Sequence, residues 1–298
     1  HPYTGVVRLF PNGLVDTTFA QQALPDYTDI SEVALDTEQR ILIGGDFTEF
    51  DGSPVGNIVR LLPDGTRDLT FAIGSGTNNF LSDLLVLPDG KILICGEFTE
   101  VSGYSRSGIA RLLPDGTVDE SFDPGSGFFY SPDPDYPNVY SMALDMEGRI
   151  LVGGAFDSYN GVSTGQLVRL SPYGVQDLSF APVFEPEYSH VWDVLVMDDQ
   201  RIRVAGYFTG VNGSEVTGIA GLLADGAMDP LYVQGSLVDN VNVLLQDGEG
   251  ILIAGWFETY GGVERRYMAR IDANGGLDPD FDVGPGFAVG TGFQPYIH

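Results

Sequence analysis

Arg111-Leu112-Leu113-Pro114-Asp115-Gly116-Thr117-Val118-Asp119-Glu120-Ser121-Phe122 reads as a strand, a tight turn and a second strand. The turn is Pro-Asp-Gly between apolar residues, which is the punctuation of a hairpin. The pattern returns, with its arginine, glycine, aspartate and phenylalanine in place, from Arg8, Arg60, Arg169 and Arg270. A sixth copy starts at Gly221, lacks the arginine and ends in Tyr232. Self-similarity with a period of about fifty residues is the sequence signature of a repeat architecture.

Between these copies lies a second recurring segment: a small residue, glycine, any residue, then phenylalanine. It ends at Phe47, Phe98, Phe156, Phe208 and Phe257. Each repeat therefore reads as four short strands. Strand A is an apolar stretch such as Ser141 to Leu144, and strand B is the run typified by Ile41 to Gly45. Strand C holds Ile109 to Leu112, and strand D ends at Phe122. No window carries a sustained helical period.

Four strands in about fifty residues is the arithmetic of a β-propeller blade. A lone four-stranded sheet has two apolar faces to cover, and stacking sheets in a ring covers both. The expectation is an all-β, closed β-propeller of four-stranded blades, one domain over residues 1–298. Its repeats run at about 8–59, 60–110, 111–168, 169–220 and 221–269, with a partial one at 270–298. Six blades is the favoured count, the first C–D hairpin joining the tail Gly292 to Ile297. Five is the alternative, because a sixth strand B is missing.

Composition bounds the function. Fourteen basic residues stand against 42 acidic ones, a formal net charge of −28, and Lys91 is the single lysine. Such a surface repels phosphate backbones, which argues against nucleic acid, and anionic membranes are disfavoured likewise. No apolar run approaches the ~20 residues of a membrane-spanning helix. One cysteine, Cys95, permits no internal disulfide and sits where the other repeats have glycine or alanine, as a packed small residue. The chain starts at His1, which suggests a processed product without a readable signal peptide.

Within a repeat protein, sameness marks structure and difference marks function. The glycine of the strand B motif is unchanged at Gly45, Gly96, Gly154, Gly206 and Gly255, which implies close approach of another backbone. Arg111 and Asp119 are placed symmetrically about the C–D turn, as are Arg8 and Asp16, Arg60 and Asp68, Arg169 and Asp177, Arg270 and Asp278. Each pair is expected to face across its hairpin as an ion pair.

Arg111 to Phe128, followed by Gly148-Arg149-Ile150-Leu151-Val152-Gly153-Gly154-Ala155-Phe156, resembles the delta-60 repeat, a bacterial β-propeller domain of unknown function. The double glycine is also similar to kelch propellers, whose remaining pattern is absent. The resemblance covers nearly the whole chain and implies a propeller exported to the cell surface or medium. It supplies no catalytic residues.

The D–A and B–C connections vary in this reading and share one face, so that face carries specificity. The D–A loop after Phe122 is the longest and holds Phe128, Phe129, Tyr130 and Tyr136; Tyr188, His190 and Trp192 follow in the next. The variable residue of the strand B motif runs Asp46, Glu97, Ala155, Tyr207, Trp256. Aromatics beside carboxylates suit sugar stacking or a protein partner. The candidate binding residues are thus Phe128, Phe129, Tyr130, Tyr136, Tyr188, Trp192, Tyr207 and Trp256. Asp133 and Asp135 are a weak pointer to structural calcium, and no other cofactor is expected.

No nucleophile elbow or phosphate loop occurs, and His190 is the one non-terminal histidine. The leading expectation is a non-catalytic extracellular binding or adhesion module for glycan or surface protein. The alternatives are a building block of a surface filament or phage-like fibre, within a larger or self-assembling protein, and a glycoside-acting propeller enzyme.

Overall fold

Strands B are the most apolar runs of the chain, and each forms the middle of an antiparallel three-stranded sheet. The computed structural model describes residues 6–20, 28–131, 133, 136–235, 237 and 239–284. Among them are five A–B–C sheets. The first holds Asp29–Leu35, Ile41–Asp46 and Ile58–Leu61; the second Leu81–Val86, Ile92–Gly96 and Ile109–Leu112. The third holds Val139–Leu144, Ile150–Gly154 and Leu167–Leu170; the fourth His190–Val196, Ile202–Tyr207 and Ile219–Leu222. The fifth holds Val241–Asp247, Gly250–Gly255 and Met268–Asp272. The described residues contain no helix, in line with the all-β expectation.

Two compact units divide the chain, one of His1–Val139 with Tyr159–Gly161, the other of Tyr140–Ser158 with Val162–His298. In the first, Leu42 and Ile58 of one sheet pack with Leu84, Ile92, Ile94 and Leu112 of the next. In the second, Leu151 and Leu167 meet Val191, Val194 and Val204. Ala205 and Ile219 in turn meet Val241, Ile251 and Ile253. Within each unit the core is therefore made of face-to-face layers between sheets, and a middle strand buried on both faces reads as a continuous apolar run.

The expected fourth strand does not form. Strand C meets the chain beyond its turn through a single bridge, such as Leu112↔Val118 or Leu170↔Gln176. The cause is local: the Asp119 carboxylate accepts from the Ser121 amide at 3.0 Å and hydroxyl at 2.6 Å. The Phe122 amide donates back to the Asp119 carbonyl. This turn ends the extended run. A second correction concerns the B–C links, which do not vary in length. Each is a short hairpin, such as Glu49–Phe50 with Ser53–Pro54 or Glu100–Val101 with Tyr104–Ser105. The tail Gly292 to Ile297, expected to complete a sixth blade, lies outside the described residues.

The arginine–aspartate pairs do face across their hairpins, with Nε–Oδ2 distances of 2.8 Å for Arg60–Asp68 and for Arg111–Asp119. Burial pushes the Asp119 carboxyl up, but the Ser121 hydroxyl and amide and the Arg111 guanidinium outweigh it and hold it at about 2. The arginine also lies flat over the repeat's own aromatic: Arg60 sits 4.6 Å from the Phe71 ring centre, and Arg169 4.6 Å from that of Phe180. A further nitrogen reaches the C–D turn of the following repeat, Arg8 to the Pro63 carbonyl at 2.6 Å and Arg60 to that of Pro114. The same ring also meets the turn glycine of that repeat. At Gly116 (φ +92) a Cβ would lie 2.9 Å from the Phe71 ring, so only glycine fits there.

The sixth copy solves the same problem differently. Gly221 leaves Asp229 without its hairpin arginine, and Arg203, directly opposite Gly221 in the sheet, takes over. Its Nη2 donates to Asp229 at 3.0 Å, its guanidinium lies 4.6 Å from the Tyr232 ring, and it reaches the Ala273 carbonyl of the next repeat. The substitution is imperfect, since the Arg203 Nε is buried without a partner. Both charges are fully buried. Arg203→Leu should therefore cost about 3–5 kcal/mol, because it leaves the buried Asp229 with only the longer 3.4 Å contact of Arg201. Denaturant titrations of that variant read the loss directly. Gly221→Arg alone should destabilise, because its Cβ would lie 2.5 Å from that of Tyr232.

Candidate functional site

Strand A carries a β-bulge near its start in the first, second, fourth and fifth sheets, between Ile30 and Glu32, Leu81 and Asp83, Val191 and Asp193, Val241 and Val243. The bulge turns the first carbonyl of the strand onto the glycine of strand B. A Cβ at Gly45 would lie 2.0 Å from the Asp29 oxygen, and at Gly206 2.0 Å from that of His190. The close approach expected at these glycines is thus to their own strand A. The variable residue that follows stands beside the start of strand A, as Asp46 does beside Asp29 and Tyr207 beside His190. The repeat sets its place and leaves its identity free.

In the second unit this end of the fourth sheet gathers rings. The His190 ring centre lies 6.2 Å from that of Tyr140, 6.4 Å from Trp192 and 6.3 Å from Tyr207. His190 and Trp192 belong to strand A rather than to the preceding loop, and Trp192 is the extra residue of the bulge. A bulge re-aims a side chain, which is how Trp192 comes to face His190. Burial pushes the His190 imidazole below its ordinary value of 6.5, so the ring is neutral at physiological pH. Tyr207 is 47% exposed, and Trp256, at the same repeat position, 36%. Tyr188 is exposed in the loop before the strand.

The first unit holds the long loop. Phe128 is not a surface contact: it is 2% exposed and packs against Tyr159 at 4.7 Å, with its amide bonded to the Ser107 carbonyl. Phe129 and Tyr136 are exposed and Tyr130 is half-buried. Burial pushes the Glu97 carboxyl up, and the nearby charges of Asp46 and Asp133 add to the shift. Among the described residues no group of three or more histidines, cysteines, aspartates or glutamates is arranged to hold a metal. Asp135 lies outside the described residues.

Asp193 is the carboxylate with the most specific surroundings. Its oxygens accept from the Ser141 hydroxyl at 3.0 Å, the Val194 amide at 2.8 Å and the Leu244 amide at 2.6 Å. Burial pushes it up against those three donors. It ties three consecutive A strands together, a structural role. Sequence reasoning missed Tyr140 and underused His190. The signal was available, since Tyr140 follows Val139 as Trp192 follows Val191 in strand A.

The family model described as "Domain of unknown function (DUF5122) beta-propeller" matches residues 40–71, 87–122, 148–180, 199–232 and 250–281. Four of its five stretches end on the aromatic clasped by an arginine, at Phe71, Phe122, Phe180 and Tyr232. No curated protein matches the sequence. Among solved structures, a protein of unknown function from Bacteroides caccae is 16% identical, with a TM-score of 0.46, over 86% of this chain and 82% of that one. The extracellular domain of a hybrid two component system from B. thetaiotaomicron is 15% identical, with a TM-score of 0.48. That match covers 86% of this chain, which spans 27% of the other's length. A gluconolactonase from Xanthomonas campestris is 16% identical, with a TM-score of 0.45, over 85% and 76% of the two chains. None of these likenesses carries an activity over to this chain.

The crowding at Glu97 has a measurable consequence. An acid whose folded-state value is raised weakens the fold once it ionises, at pH above its ordinary 4.5. Glu97→Gln should therefore raise the melting temperature at neutral pH, with the gain vanishing in acid below that value. A melting temperature lowered at neutral pH would show the carboxylate to be held by an attractive partner.

Proposed function

Because this chain belongs to the DUF5122 β-propeller family, whose model matches more than half of its residues, we propose that it is a non-catalytic extracellular module whose aromatic end binds glycan. The observation that carries the reading is the contiguous patch of Tyr140, His190, Trp192 and Tyr207. Aromatic faces take the C–H faces of a pyranose while hydroxyls and ring nitrogens take its polar edge. Tyr140, His190 and Trp192 lie outside the matched stretches, so they belong to what distinguishes this member from its family. The likeness to delta-60 repeats supports export. The net charge of −28 favours a neutral ligand over an anionic one.

A protein ligand at the long loop is the second reading, supported by the exposed Phe129 and Tyr136. A structural calcium at Asp133 and Asp135 belongs to that loop as a proposal. The test is a glycan array probed with the purified chain, with and without about millimolar calcium. Hits on a narrow glycan set are expected. Trp192→Ala and Tyr207→Ala should weaken them by about tenfold or more, the scale of losing one aromatic anchor. An array blank under both conditions sinks the glycan reading. Hits untouched by those variants but lost on Phe129→Ala or Tyr136→Ala would move the site to the long loop.

A further inference from the structure

A groove of about 620 Å³ opens in the second unit, between Ser163–Gln166, which leads into strand C of the third sheet, and residues 178–187. The other repeats explain why it exists. The position of Thr164 is held elsewhere by Val55, Arg106, Val216 and Arg265. Val55 is buried in an apolar cluster and Val216 packs on another. Arg265 is buried and donates to the Pro279 carbonyl. Thr164 has the shape of valine but places a hydroxyl where Val55 and Val216 place a methyl, and it lacks the reach of Arg265.

The neighbouring links are also tied down. Asn57 donates to the Thr77 hydroxyl at 3.0 Å and the Asn79 carbonyl at 2.8 Å, the Ser107 hydroxyl to the Phe128 carbonyl at 2.7 Å, and Gln234 to the Thr217 carbonyl. In the third repeat the counterpart is a 3.5 Å approach of the Gln166 amide to the Glu187 carbonyl. Asn57, Gly108, Gly218 and Tyr267, which precede strand C elsewhere, take positive φ; Gln166 does not.

We infer that this groove binds an extended peptide with an aliphatic anchor and no acidic residue at its centre. Leu178 and Val183 are 68% and 57% exposed along the groove, above the buried Phe180 and Phe184. They offer an aliphatic wall and no open ring face for a sugar to stack on. Gln176 Oε1 is shielded from solvent without a donor, and a turn of that side chain into the groove would let it accept a main-chain N–H from the ligand. Glu187 is the one ionisable side chain in the lining, and it repels an acidic ligand, as does the chain's charge. Val162–Ser163 is the edge strand of its sheet, so an extended segment can add alongside. This site is separate from the glycan reading and does not rest on it.

The test pans a random dodecapeptide display library on the full chain, with counter-selection on Thr164→Arg, which refills the groove as Arg265 does. Peptides rich in aliphatic residues and poor in acidic ones should be enriched on the natural chain. Their synthetic forms should bind Thr164→Arg about tenfold or more weakly. Val183→Asp, at an exposed position where folding is undisturbed, should give the same loss. Failure to enrich any peptide over Thr164→Arg overturns the proposal, as do hits that bind both variants equally. Neutral oligosaccharides whose binding is lost in both variants would overturn it too, by assigning the groove to sugar.

Discussion

The fold depends on one aromatic ring held from two sides. Phe19, Phe71, Phe180 and Tyr232 each lie against an arginine and against the turn glycine of the following repeat. The arginine is fixed by the aspartate across the hairpin and turns a second nitrogen to the next turn's carbonyl. Four of the repeated residues thus have a single cause. The arginine must be charged, flat and long, which lysine cannot supply. The glycine must accept positive φ and carry no Cβ. The departure at Gly221 supports this account, because a different arginine arrives at the same aspartate and ring.

That clamp also explains why blades with three full strands suffice here. An outer fourth strand would cover the edge of strand C by hydrogen bonds alone. The turn at Asp119 to Phe122 instead ends the pairing, trading it for a buried ring and a buried ion pair. The layers between sheets, such as Leu84, Ile92 and Ile94 against Leu42 and Ile58, supply the apolar burial.

Much of this was legible in the sequence, since repetition turns one chain into its own comparison set. The sheets, the ion pairs and the small-residue sites followed from positions that never change. The lost fourth strand did not, because the Ser121-to-Asp119 hydrogen bonds that end it leave the strand-like pattern intact. Trp192 and His190 looked like loop residues because a bulge breaks the alternation that marks a strand. Phe128 looked like a surface aromatic, and only the ring of Tyr159 against it shows otherwise. The groove beside Thr164 was least visible. A threonine in a polar link draws no attention until the apolar Val55 and Val216 and the long Arg265 are set beside it.

The bulge and its glycine have one more implication. Because the strand A carbonyl rests on a glycine, the next side chain of strand B is held at a fixed address while bearing little of the packing. Asp46, Glu97, Tyr207 and Trp256 show how widely such an address can be filled. A lineage built on this repeat can change the chemistry of this address a residue at a time, the sheet that holds it left in place. Duplication of a repeat then copies a blank position along with the structure that holds it, so new recognition surfaces arise by point substitution rather than by rebuilding loops.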